Sequence, residues 1–259
     1  MPSAPPLILA VEGIVGSGKT SFLSAVRNSF LATKYAIYVV ESPLERWQDV
    51  EGTNLLKLYH TDPVRHTFSF QSWCLSTRHD SLMTHLRTQI DPADHRPVIT
   101  FVERACMTDV DCFCATLCAR GMLNAWEMEL LRTQCRQLTR MLPHPNGVIM
   151  MNTPVDISMR CVNIRRREGE SLGVTQDFQQ DLLESYRKWL RTTHIPRIHV
   201  DTVAAFHHQP ASYEAVVDVM QEVDDFIRRL HAQAGSTVAF IQNAMGYGVL
   251  SDDESEGDE

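Results

Sequence analysis

Short runs of consecutive apolar residues recur along the chain, separated by segments in which apolar positions return every three or four residues. Leu7–Val11 (LILAV), Tyr35–Glu41 (YAIYVVE), Val98–Glu103 (VITFVE), Val148–Met151 and Ile198–Asp201 read as buried strands. Between them, helical spacing is expected over Ser21–Ala32, Phe68–Arg87, Leu117–Met141, from Val155 into Arg165-Arg166-Arg167, over Gln176–Leu190 and over Ser212–His231. The Leu117–Met141 helix, with Trp126, Leu130, Leu131 and Leu138, is expected to flank the sheet. Strands alternating with helices predict an α/β fold: a five-stranded parallel sheet flanked by helices. No internal repeat is found.

Between the first strand and the first helix lies Gly13-Ile14-Val15-Gly16-Ser17-Gly18-Lys19-Thr20, the spacing of a phosphate-binding loop. Glycines let several backbone N–H groups turn inward toward a polyphosphate, Lys19 adds a mobile cation, and the Thr20 hydroxyl can ligand Mg²⁺. In open α/β sheets ligands sit beyond the carboxyl ends of the strands, which puts Glu41 and Glu103 where a substrate would lie. Standing alone, Glu41 also reads as a solvated strand-end charge. Glu103 is the candidate to reach Mg²⁺ or its water. Gln71 and Arg78 are seven residues apart, hence on one helix face. The three consecutive arginines read as a solvated face or as a grip on transferred phosphate.

Composition sharpens this only in places. The 259 residues carry a formal charge of −8, but six of the acids fall in the last nine positions, SDDESEGDE, which leaves the body near −2. That argues against nucleic-acid binding as the main activity. The tail is too charged to fold, and Ser251 and Ser255 precede acids in the manner of acid-directed phosphorylation sites. The longest N-terminal apolar run is far too short to span a membrane. Seven cysteines and no secretory leader point to a reducing, cytoplasmic setting. Cys112, Cys114 and Cys118 read as helix packing rather than a zinc site. The expected layout is a flexible leader at 1–6, one catalytic domain at 7–234 and an extension at 235–259.

Taken in order, these segments resemble the deoxynucleoside kinase family, most closely its deoxycytidine/deoxyguanosine kinase branch, from about Leu7 to Ile227; viral-type and mitochondrial thymidine kinases are related. EGIVGSGKT resembles the family's phosphate loop, which implies phosphate contacts from Gly13, Val15, Gly16, Ser17, Gly18, Lys19 and Thr20. ESPLERW resembles the segment with a catalytic base and a pocket tryptophan, carried to Glu41 and Trp47. NLLKLYHTDPVRHTFSFQSWCLSTR resembles the stretch that lines the nucleoside, implying Tyr59 near the sugar, Phe70 and Gln71 at the base, and Arg78 deeper. VERACMTDVDCF carries over Glu103, Arg104, Asp109 and Phe113, and IRRREGES resembles the arginine-rich lid, giving Arg165, Arg167 and Glu170. Ala105 stands where the family has serine. A family arginine aligns with Cys161, with Arg160 one position off, and the segment after Gly235 has no counterpart.

The resemblance implies transfer of the γ-phosphoryl of ATP to the 5′-hydroxyl of a deoxynucleoside, with Glu41 as base, Thr20 and Glu103 at Mg²⁺, and Arg104, Arg165 and Arg167 neutralising the transferred group. It also implies a homodimer. An Arg78–Asp109 pair would present an acceptor to an exocyclic amine, favouring deoxycytidine and purine deoxynucleosides over thymidine. Two other readings are a thymidylate-type nucleoside monophosphate kinase and a non-catalytic nucleotide-binding switch. The absence of Asn-Lys-x-Asp weighs against the common GTPase type.

Overall fold

The computed structural model describes residues 5–88, 94–207 and 212–244, and the side chains of all these except 88, 171 and 235–244. The start of the leader and the acidic tail with Ser251 and Ser255 lie outside the described residues. The strands are β1 (Leu7–Glu12), β2 (Ala36–Val40), β3 (Val98–Glu103), β4 (Gly147–Asn152) and β5 (Arg197–Asp201). They form one parallel sheet in the order β2-β3-β1-β4-β5. The helices in chain order are α1 (Lys19–Arg27), α2 (Leu31–Lys34), α3 (Leu44–Gln48), α4 (Leu55–Thr61), α5 (Pro63–Thr88) and α6 (Cys106–Thr108). There follow α7 (Ala115–Ala119), α8 (Ala125–Thr139), α9 (Val155–Arg165), α10 (Glu170–Gly173), α11 (Gln176–Thr192) and α12 (Tyr213–Ala244). Two π-helical turns, Asp109–Cys114 and Val203–His207, complete the described chain.

Every residue of β1 is buried, because this central strand has helices on both faces. Side chains alternate across a strand. Leu7, Leu9 and Val11 therefore pack with Phe22, Leu23 and Val26 of α1 and with Phe226 and Ile227 of α12. Ala10 faces the opposite core, which holds Phe70 and Leu75 of α5, Leu131 of α8 and Tyr186 of α11.

Three expected helix bounds change. The first helix stops at Arg27, where Asn28 caps it, and Ser29 Oγ accepts from the Leu31 N–H to start a separate short helix. The helix expected over Leu117–Met141 is broken at Gly121, whose φ of +75° favours glycine. It restarts at Asn124, whose side chain and Glu127 form a reciprocal capping box. This turn directs Trp126 and Leu130 outward, 63% and 50% exposed, rather than onto the sheet. Finally, α12 passes through Gly235 and runs to Ala244.

Glu12 ends β1 fully buried, on the face away from α1. Its Oε1 accepts from the Ala105 N–H and the Thr108 hydroxyl, both at 2.8 Å, and its Oε2 accepts from the Tyr186 hydroxyl at 2.9 Å. One carboxyl group thereby joins β1, the end of β3 and α11. Burial raises its pKa, while the Ala105, Thr108 and Tyr186 donors and the charge of Arg104 oppose that rise. Replacing Tyr186 by Phe leaves one buried oxygen without its donor. The expected loss is about 1–3 kcal/mol of unfolding free energy, read from urea denaturation; an unchanged midpoint would contradict the clamp.

Candidate active site

The loop after β1 turns at Gly16 and Gly18, with φ of +78° and +85°. A Cβ at Gly16 would lie 2.5 Å from the Ser158 carbonyl oxygen, so the α9 backbone leaves room for glycine alone. Gln179 of α11 pins the loop tip: its Oε1 accepts from the Val15 N–H at 3.1 Å, and its Nε2 donates to the Val15 carbonyl at 2.5 Å and to Ser158 Oγ at 3.0 Å. Lys19 is buried, its Nζ donating to the carbonyls of Gly13 (3.1 Å) and Ile14 (2.9 Å) and to Ser17 Oγ (3.2 Å). Burial, reinforced by Arg104, pulls the Lys19 pKa down to about 7 against the pull of Glu103.

Two adjoining cavities meet at this loop. One is lined by Gly16–Ser21, Glu103, Cys161, Arg165, Arg167, Phe206 and His207. The other runs from Val15, Gly16 and Lys19 inward past Trp47, Tyr59, Phe70, Gln71, Arg78, Arg104, Asp109 and Phe113, under Arg165, Arg167 and Glu170 of the lid. It holds about 790 Å³ of non-atom space, the open mouth included. Glu103 lines both.

The second cavity has an aromatic wall and a charged floor. Tyr59 stacks on Phe70 with centroids 4.6 Å apart and planes 13° apart, and Trp47 meets Phe70 edge-on at 5.8 Å. Trp47 Nε1 donates to Thr77 Oγ1 at 2.9 Å, fixing the indole. Gln71 and Arg78 do share one face of α5, and both are buried. Arg78 Nη1 donates to Ser42 Oγ (2.9 Å) and to the Glu103 carbonyl (2.7 Å). Its Nε lies 2.8 Å from Asp109 Oδ2, within ion-pair distance but out of line for a hydrogen bond. Arg104 Nη1 reaches the other Asp109 oxygen at 3.6 Å, and its guanidinium lies 3.7 Å from the Phe113 ring centre. Arg104 holds a φ of +67°, a conformation that costs a non-glycine residue about 1–3 kcal/mol. Its N–H donates to the Val11 carbonyl while the next residue is held by Glu12. At the lid, Arg165 grips Glu170 with two hydrogen bonds, Nε to Oε2 at 2.7 Å and Nη2 to Oε1.

Two expected residues line neither cavity: Gly13, whose carbonyl accepts from Lys19 Nζ, and Glu41. Glu41 is half exposed and pairs with Arg27 Nη1 of α1 at 2.7 Å. Successive residues of an extended segment point to opposite sides. Glu41 thus turns toward α1, and Ser42 is the residue that enters the cavity. Glu103 lines both cavities: burial raises its pKa, but Lys19, Arg78, Arg104 and the Ser42 N–H outweigh burial and hold it below its ordinary value. Thr20 is exposed and lines the loop cavity with Glu103, so the pair fits a hard divalent cation by donor type.

Sequence reasoning missed Glu12, Ser42, Cys74, Gln179 and His60. Ser42 follows Glu41 by one residue, and only strand alternation distinguishes them. His60 was a neighbour of Tyr59 with no motif of its own, yet it lines the cavity and is buried.

A parallel sheet with a glycine loop at the end of its central strand, a buried lysine, a two-compartment cavity and an arginine lid define a P-loop phosphotransferase. The family model for deoxynucleoside kinases matches residues 9–228, and the chain belongs to that family. It is similar to the thymidine kinase of Ictalurid herpesvirus 1, 26% identical over 214 residues that cover 83% of this chain and 86% of the relative. It is equally similar, at 26%, to the probable deoxycytidine kinase of fowlpox virus (70% of this chain, 71% of the relative). The mitochondrial deoxyguanosine kinase of Xenopus laevis is also 26% identical (72% and 75%). The chain is accordingly a kinase with a nucleoside acceptor and a nucleoside triphosphate donor. No helix among the described residues is long and apolar enough to cross a membrane.

Lys19 supplies a test of the donor side. With its pKa near 7, it is partly neutral at physiological pH. Polyphosphate binding favours the charged form and raises that pKa. Affinity is therefore fully developed below pH 7 and falls as pH rises above it. Calorimetry at pH 7.5 in buffers of different ionisation enthalpy is expected to show net proton uptake on triphosphate binding; zero uptake would place the Lys19 pKa well above the assay pH.

Proposed function

We propose that the chain transfers the γ-phosphoryl of ATP to the 5′-hydroxyl of a deoxynucleoside, that Thr20 and Glu103, directly or through water, would hold Mg²⁺, and that Glu103 rather than Glu41 accepts the hydroxyl proton. The observation that carries this reading is the position of Glu103 at the seam of the two cavities. Of the other carboxylates lining the acceptor cavity, Asp109 is engaged by Arg78 and Arg104, and Glu170 by Arg165. The cation, when bound, neutralises phosphate charge. Around it, backbone N–H groups of the loop and Lys19 hold the donor phosphates. Arg104, Arg165 and Arg167 balance charge on the transferring group, and the lid excludes water. Trp47, Tyr59, Phe70 and Phe113 would hold sugar and base, with Gln71, Arg78 and Asp109 at the deep end. Asp109 is acceptor-only, which supports deoxycytidine and purine deoxynucleosides over thymidine. The seven cysteines are all free, in keeping with a cytoplasmic setting.

The aromatic cleft accommodates a base and sugar directly beside the seam, which favours a nucleoside over a monophosphate acceptor. The variants to compare are Glu103→Gln and Glu41→Gln, assayed with ATP on the four deoxynucleosides and on thymidine monophosphate. Glu103→Gln is expected to lower kcat by about 10²–10⁴, and Glu41→Gln to stay within about twofold of the parent. The reverse ranking would return the base role to Glu41, and thymidine turned over faster than deoxycytidine would remove the Asp109 argument.

The homodimer implied by resemblance has a natural seam on α5 and α8. Trp126 and Leu130 of α8 and Val64 of α5 are exposed, and Phe68 of α5 sits 6.3 Å from the Trp126 ring. A second copy across a two-fold axis would bury this stripe against itself. Light scattering on the purified chain is expected to give twice the chain mass, and Trp126→Glu to shift it to one; a monomeric parent rules the dimer out.

A further inference from the structure

His60 closes α4 and has its side chain buried beneath the lid. Its ring packs beside Tyr59, centroids 4.8 Å apart, and the side chain lies against two lid glycines. A Cβ on Gly173 would stand 2.2 Å from His60 Nδ1, and one on Gly169 would stand 3.1 Å from His60 Cβ. Gly169 has a φ of +78°, which by itself favours glycine, but Gly173 is not among the positive-φ residues. A glycine in a helix without that conformational need is unfavourable relative to alanine. Close approach of the imidazole is what requires it. Beside this contact, Lys57 Nζ of α4 pairs with Glu168 Oε1 of the lid at 2.6 Å. Two independent contacts thus join α4 to the segment that carries Arg165, Arg167 and Glu170.

The seat is not fully satisfied. His60 Nδ1 is shielded from solvent and has no hydrogen-bond partner. A buried polar atom left unpaired penalises the arrangement that buries it, and water relieves the penalty once the lid lifts. We propose that His60 is the positioning residue that seats the arginine lid over both substrate sites, and that its unpartnered nitrogen keeps closure reversible. This rests on the kinase reading above and adds to it the residue that sets lid position. His60 acts through Glu170 and Arg165, the charged groups that face it; Lys57 and Glu168 are paired at the rim.

The seat requires a neutral ring. Burial pulls the His60 pKa down to about 4, with Glu170 opposing and Arg165 assisting. In an open lid the ring regains its ordinary value near 6.5. Protonation therefore favours opening, and closure weakens as pH falls below 6.5 toward 4.

The test uses the full chain and two readouts, steady-state kinetics and limited trypsin cleavage at the lid arginines in the presence of Mg-ATP. Gly173→Ala is expected to raise lid cleavage and the KM for both substrates about tenfold or more. The double variant His60→Ala, Gly173→Ala is expected to be no worse than His60→Ala alone, because the imidazole that the new methyl group meets is gone. KM in the parent is expected to rise below pH 6.5 and to stay flat in His60→Asn. Should Gly173→Ala fail to fold, His60→Ala alone is expected to raise KM and cleavage together. Parental behaviour of Gly173→Ala or His60→Ala, effects of the two substitutions that add in the double variant, or an unchanged acid limb in His60→Asn would each overturn the proposal. Loss of activity on every deoxynucleoside in the parent would instead sink the kinase reading, while the cleavage pattern would still report on the seat.

Discussion

The site depends on one buried carboxyl group. Glu12 lies between the last apolar residue of β1 and the first glycine of the phosphate loop, so its position fixes where the loop begins. The same side chain holds the N–H of Ala105, and thereby the turn in which Arg104 adopts its left-handed backbone. A strained residue persists only where its surroundings over-determine it. Here the Val11 carbonyl, the Glu12 carboxyl and the Phe113 ring restrain Arg104 from three sides. Donor loop and acceptor wall are consequently not independent constructions: both are built outward from the end of one strand.

Charge then divides the cavity by function. Lys19, Arg78, Arg104, Arg165 and Arg167 face Glu103, Asp109 and Glu170 across the acceptor cavity. The carboxylates at the two far ends are each held by arginine, which fixes the guanidinium planes as much as it neutralises charge. The excess of cations gathers at the junction, where a polyphosphate would add the missing negative charge. Lys19, Arg78 and Arg104 hold the Glu103 pKa down against burial, whereas at Lys19 burial is the main cause of the depression and Arg104 adds to it.

Much of this was legible in the chain. Apolar runs located all five strands; the signal is unbroken where a strand is buried along its whole length, as in β1, and weakest at the edge strand β5, where Val200 alone is fully buried. Glycine spacing located the loop, and helical period brought Gln71 and Arg78 together. What escaped was decided by single-residue parity or by contacts distant in sequence. Glu41 and Ser42 are adjacent at the end of an edge strand, and periodicity there gives no clue to which one turns inward. Gln179 reaches Val15 across 164 residues, and nothing in either local pattern announces the pairing. Gly173 reads as an ordinary helix-end glycine until the imidazole of His60 is seen against it.

Base choice follows a different logic from fold. Relatives named for thymidine, deoxycytidine and deoxyguanosine stand at the same 26% identity to this chain, so overall similarity carries no information about which base fits. The discriminating groups must therefore be few and deep. Gln71 offers one donor group and one acceptor, and rotating its amide exchanges them; Asp109 has no such freedom, because a carboxylate accepts only. Arg78 and Arg104 further restrict it by approaching both of its oxygens. On the reading proposed above, a base whose exocyclic group donates would share that carboxylate with the arginines, whereas one presenting an acceptor would meet like polarity. Selectivity of this kind comes from groups left unpaired by the wrong ligand, and it is strongest where they are buried, as Gln71, Arg78 and Asp109 are.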